Sequence, residues 1–199
     1  MITILLQYLM WCTYASSHTP AVSKSPEHHI YFVGRASTQK SSIIATGFNL
    51  TDTLISHVGI GFKDKGVLKI FHVEDRPGNA FQISSLQQFH QPGIFYYCVY
   101  ALPVSNEHIL KLKALLRNHL PVSFDKQLLL NNEFLYCSEF CYNLLKEVNP
   151  EKFTLLPTTR RISQPFILAF LGRDTITYIP VDFFLKYPGI KKVECGFLP

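Results

Sequence analysis

The chain has 199 residues, 47% of them hydrophobic and only 17% charged, which suits one domain with a substantial core and a largely neutral surface. Its formal charge of +5 comes from 19 basic against 14 acidic side chains, scattered so that Lys111, Lys113 and Arg117 are the nearest approach to a stripe. A nucleic-acid binder concentrates basic and aromatic groups on one surface, so that class is set aside; mild attraction to an anionic envelope or lipid surface fits.

Residues 2–11 are almost all apolar, and Thr13-Tyr14-Ala15 follows as a small-x-small cleavage pattern. This predicts an export signal over residues 1–15 and a secreted or periplasmic protein, although no Lys or Arg precedes the apolar run. The stretch is too short to span a bilayer as a helix. Residues 16–29, rich in Ser, Thr and Pro, predict a mobile lead-in ending in the surface pair His28-His29. Short β-branched and aromatic runs then predict strands over 30–33, 56–62, 67–74 and 94–102. Ser105 is placed to cap a helix through Leu120, with Ile109, Leu112, Leu115 and Leu116 on one face. A second helix runs over 137–148 and is stopped by Asn149-Pro150. Pro180-Val181-Asp182 opens a short last helix ending at Tyr187-Pro188. The fold class is α+β.

Export leaves Cys98, Cys137, Cys141 and Cys195, an even count whose members sit in settings too different for a disulfide framework. A reactive thiol is the better expectation. Phe140, Leu144, Leu145 and Val148 recur at helical spacing, which puts Cys137 at a helix N-terminus. There the unpaired amides and the helix dipole favour a thiolate. A thiolate beside a histidine is an ion-pair nucleophile for a carbonyl, and the same amides supply part of an oxyanion hole. Cys141, one turn on, reads as a buried thiol.

The histidines come from the hairpin over 56–74. With Asp64-Lys65 as the loop pair, His57 faces His72, Glu74 lies one step diagonally away, and both imidazoles share one side of the sheet. Gly59 and Gly61 line that side and are expected to leave room for a docked group. Plainer readings use the same residues: a small core cysteine, a half-buried strand histidine, or a zinc site from Cys137, Cys141 and the two histidines. The zinc site lacks the turn that structural Cys-x-x-Cys knuckles use.

Ser56-His57-Val58-Gly59-Ile60 and Tyr136-Cys137-Ser138-Glu139-Phe140 together resemble the two signatures of permuted papain-like cysteine hydrolases, in the YiiX/YebB-like branch of the NlpC-type superfamily. Lecithin:retinol acyltransferase is a more distant relative. Phe124-Asp125 is similar to the family's aromatic-Asp pair, and Pro180-Val181-Asp182 to its Pro-x-Asp, so the resemblance covers roughly residues 30–190. It implies an antiparallel sheet or barrel packed on a nucleophile-bearing helix, over a domain of residues 30–199. It further implies Cys137 as nucleophile, His57 as general base and His72 or Glu74 as the residue orienting His57, with Tyr136 shaping the pocket. No cofactor or metal is called for. The implied reaction is acyl-enzyme hydrolysis of an amide or ester in a cell-wall peptide, an N-acylated lipid or an N-acylated amino acid. Two alternatives keep the residues: a lipid acyltransferase, and an inactive envelope-binding module.

Overall fold

In the computed structural model, which describes residues 28–51, 54–118 and 121–198, the β-branched runs of the first half form most of one sheet. In chain order the elements are β1 (His28–Ser37), α1 (Lys40–Thr46), β2 (His57–Asp64), β3 (Val67–Val73), β4 (Phe81–Ser84), α2 (Leu86–Phe89), β5 (Ile94–Val104) and α3 (Asn106–Arg117). They continue with α4 (Cys137–Val148), α5 (Pro150–Phe153), β6 (Thr158–Arg161), α6 (Pro165–Leu171), β7 (Thr175–Tyr178), a 3₁₀ turn (Phe183–Lys186) and β8 (Lys191–Phe197). The main sheet has the order β4-β3-β2-β1-β5-β8 with all neighbours antiparallel, and β6 and β7 form a separate ribbon. The expected α+β class is therefore what the structure shows. The expected export signal and lead-in lie outside the described residues up to residue 27. His28 and His29, expected in the lead-in, instead open β1, in register with Val104 and Pro103 of β5.

Each strand alternates its faces. Ile30 and Phe32 of β1, Val58 and Ile60 of β2, and Tyr100 and Leu102 of β5 join Leu112 of α3 and Phe140 and Leu145 of α4 in the main core. Val33, Ile70 and Val99 point the other way and are capped by Phe89 of α2 in a small second cluster. Helix α3 begins at the expected cap, with Ser105 Oγ accepting from the His108 amide at 3.3 Å. Helix α4 has the expected limits, and Asn149 then caps α5 through the Lys152 amide at 3.0 Å. The last expected helix is a single 3₁₀ turn. No helix among the described residues is long and apolar enough to cross a membrane.

Two expectations about the histidine hairpin are corrected. Asp64 pairs with Val67, so Lys65-Gly66 is the loop, and both residues have positive φ, 49° and 83°. A two-residue hairpin turn of this hand needs positive φ at both central positions, and glycine supplies one freely. The register therefore moves by one pair: His72 falls opposite Gly59, and His57 becomes its diagonal neighbour. Because side chains alternate with period two, both imidazoles stay on one face. The glycines do not leave docking space. A Cβ on Gly61 would lie 2.1 Å from the Lys69 carbonyl oxygen, and one on Gly59 2.6 Å from Ile70 Cγ2. They allow close strand approach instead.

Candidate active site

His57 begins β2 and His72 nearly ends β3, so both rings lie at one end of the sheet. His57 Nε2 is 3.0 Å from His72 Nδ1, and His72 Nε2 is 3.1 Å from Ser84 Oγ on β4. His72 is fully buried, and Phe89 of α2 sits against both imidazoles with ring centroids at 5.6 and 5.0 Å. Arg35, the β1 residue paired with His57, lies over the same phenyl ring at 4.5 Å and donates to the Phe89 carbonyl at 2.7 Å. Its other nitrogen is ion-paired with Glu74, which also accepts from Arg76 Nε at 2.9 Å. Of the two candidates for orienting His57, His72 is thus bonded to it and Glu74 is held by two arginines.

Burial holds both rings neutral. It depresses His57 far below the usual imidazole value, with the charges of Arg35, His72 and Arg76 adding to it. Burial, then Arg35 and Arg76, lower His72 to about 3.

The segment around Cys137 is held by one residue, Ile179. Tyr136 Oη accepts from the Ile179 amide at 2.8 Å, and Ser138 Oγ donates to the Ile179 carbonyl at 2.7 Å. The residues flanking the cysteine in the Tyr-Cys-Ser pattern therefore grip Ile179 from both sides and fix the first turn of α4. One turn further, Cys141 Sγ donates to the Val58 carbonyl at 3.9 Å, which sets the start of α4 level with the start of β2. Burial pushes the Cys137 thiol up, while the amides of Val58 and Ser138 and the charge of Arg35 pull it down less strongly. Desolvation thus opposes the charged forms of both Cys137 and His57.

Cys137, His57, Arg35 and Glu74 all line a cleft of about 1030 Å³. Its apolar lining includes Ile44, Phe48, Phe166, Phe170, Tyr178 and Val181; Phe166 and Phe170 of α6 are 55% and 50% exposed. Its charged lining includes Arg76 and the ion pair of Lys126 with Asp75 at 2.9 Å. Tyr136 lines the cleft as well. No three His, Cys, Asp or Glu side chains among the described residues are grouped to hold a metal. Cys141 points into the core, and the facing nitrogens of the two histidines are bonded to each other. Cys98 and Cys195 lie directly opposite each other on β5 and β8 and are not joined.

Arg35 and Ser84 were not anticipated. A single arginine inside the apolar run from Ile30 to Ala36 was a readable signal, since a charge in a buried strand needs a partner. Nothing in the sequence around Ser84 pointed to His72.

No family model matches the chain, and no curated protein matches it in sequence. Among solved structures it is similar to the metalloprotein YiiX of Escherichia coli O157:H7, a DUF1105 protein, with a TM-score of 0.64 at 16% identity over 85% of this chain and 97% of that one. The chain has a YiiX-like α+β fold.

Proposed function

We propose that this protein is a cysteine hydrolase that cleaves an amide or ester through an acyl-enzyme on Cys137. In this reading the topology is the permuted papain-like one, with the histidine strand ahead of the cysteine helix. The observation that carries it is that Cys137, at the start of α4, and His57, bonded to His72, open into one cleft. His57 Nδ1 takes the thiol proton as sulfur attacks the carbonyl carbon, and the oxyanion forms beside the first amides of α4. The leaving amine or alcohol takes that proton from His57, and the thioester remains. Water, deprotonated by His57, then releases the acid and restores the thiol. His72 orients the ring by hydrogen bond and not by charge. Arg35 disfavours a lasting imidazolium, so the proton passes on readily to the leaving group.

The apolar lining of the cleft favours an acyl chain over a cell-wall peptide as the group carried on sulfur. An export signal would put the reaction at the envelope, in keeping with the basic balance of the chain. YiiX is named a metalloprotein, whereas the proposed steps use only residues of this chain.

The test is incubation with a series of fatty-acyl esters and amides, with intact mass and peptide mapping of the trapped adduct. An acyl group on Cys137 is expected, with its formation slowed about 10²–10⁴-fold in His57→Ala. Absence of an adduct across the series, with Cys137 alkylated no faster than Cys141 at any pH, rejects the hydrolase. Acyl transfer to an added alcohol or amine in preference to water would make it an acyltransferase.

A further inference from the structure

We propose that Ser84 is a positioning residue of this site: its hydroxyl accepts the Nε2–H of His72 and so supports the tautomers in which His57 can receive a proton from Cys137. The catalytic consequence and the direction of the donors rest on the hydrolase reading; the line of bonded atoms from His57 through His72 to Ser84 rests on geometry.

A neutral imidazole has one N–H and one bare nitrogen. His57 Nε2 faces His72 Nδ1 at 3.0 Å, so Nδ1 is the nitrogen that the hydrolase reading assigns to the thiol proton. To take a proton, Nδ1 must be bare, so the His57 hydrogen sits on Nε2 and is donated to His72 Nδ1. His72 then carries its own hydrogen on Nε2, where the acceptor is Ser84 Oγ at 3.1 Å. Three neighbouring strands, β2, β3 and β4, hold this line of atoms.

Without that oxygen the chain of donors reverses. His72 is fully buried, and a buried N–H with no acceptor costs more than a bare ring nitrogen with no donor. The favoured arrangement then has His72 Nδ1–H donating to His57 Nε2, which moves the His57 hydrogen to Nδ1. A ring in that state cannot act as base; tautomer choice fixed by a neighbour governs the serine-protease histidine in the same way. Protonating either ring offers no escape near neutral pH, since burial and the charges of Arg35 and Arg76 oppose it.

The experiment is ¹⁵N NMR of histidine-labelled full chain, read with the alkylation rate of Cys137, for wild type, Ser84→Ala and Ser84→Thr. Wild type and Ser84→Thr are expected to show His57 and His72 protonated at Nε2. Ser84→Ala is expected to move both toward Nδ1 and to slow alkylation on the order of tenfold to a hundredfold, the equilibrium weight of one unsatisfied buried donor. Nε2 protonation of both rings in Ser84→Ala overturns the proposal, as does failure of Ser84→Thr to restore it. Should the tautomers shift as expected while Cys137 shows no enhanced reactivity even in wild type, the role of Ser84 stands and the hydrolase reading falls.

Discussion

Two residues after Cys137, Glu139 is only 3% exposed, and its Oε2 has no hydrogen-bond partner among the described residues. Burial above all, with Asp125 adding to it, pushes its carboxyl up to about 7 against the pull of the Asn131 and Tyr136 amides. A carboxyl whose folded pKa lies above its unfolded value of about 4.3 contributes stability at low pH and loses it as pH rises toward the folded value. Stability should therefore decline between about pH 4 and pH 7 through this one group. Glu139→Gln is expected to melt with wild type near pH 4 and a few degrees above it near pH 8. Parallel melting profiles would show that this carboxyl is not the source. At this scale, helical spacing after Cys137 and strand alternation around His57 and His72, together with the family resemblance, made these three readable as candidates. Ser84 was not readable, because a serine acquires its role only from the ring that β3 brings beside it.

Among elements, register decides what a residue can meet. The Leu198 amide donates to the Phe95 carbonyl at 2.9 Å, which marks that pair as hydrogen-bonded, and such pairs alternate along an antiparallel ladder. Counting along the register, Tyr97–Gly196 is the next hydrogen-bonded pair, and Cys98–Cys195 falls on a wide, non-bonded position. Opposite Cα atoms there are about 4.5 Å apart, within the span of a disulfide. A small-molecule disulfide such as oxidised glutathione is expected to join Cys98 to Cys195, each bond formed releasing two reduced thiols of the oxidant. Peptide mapping should find the cross-link, the chain should lose two hydrogens in mass, and Cys195→Ser should abolish both. A cross-link that instead involves Cys137 would refute the register argument. The sequence could not foresee this pair, because β8 carries five exposed residues in succession and no apolar alternation to announce a strand. The hairpin of β2 and β3 was legible in kind and shifted in register for a related reason: Lys65 adopts a left-handed φ that its residue type does not advertise.

For the whole molecule, the long-range tie is Asp182, which is fully buried. Its carboxylate accepts from the Leu50 amide at 2.8 Å, the Thr51 amide at 2.6 Å and the Thr51 hydroxyl at 3.0 Å. This joins the segment after α1 to the segment after β7, which contribute Phe48 and Val181 to the cleft lining. Asp182→Ala is expected to cost about 2 kcal/mol in urea unfolding, since it strands several donors at once. An unchanged midpoint would mean that solvent satisfies them. The Pro-x-Asp pattern was visible in the sequence, but its partner lay 132 positions away and only the fold could supply it.

The grip of Tyr136 and Ser138 on Ile179 sets an order of events during synthesis. His57, His72 and Cys137 all leave the ribosome before Ile179, and β8 follows later still. A nascent chain therefore holds every group assigned to the chemistry well before it holds the wall that shapes the cleft. In the enzyme we propose, the first turn of α4 is fixed only once Ile179 has joined Tyr136 and Ser138.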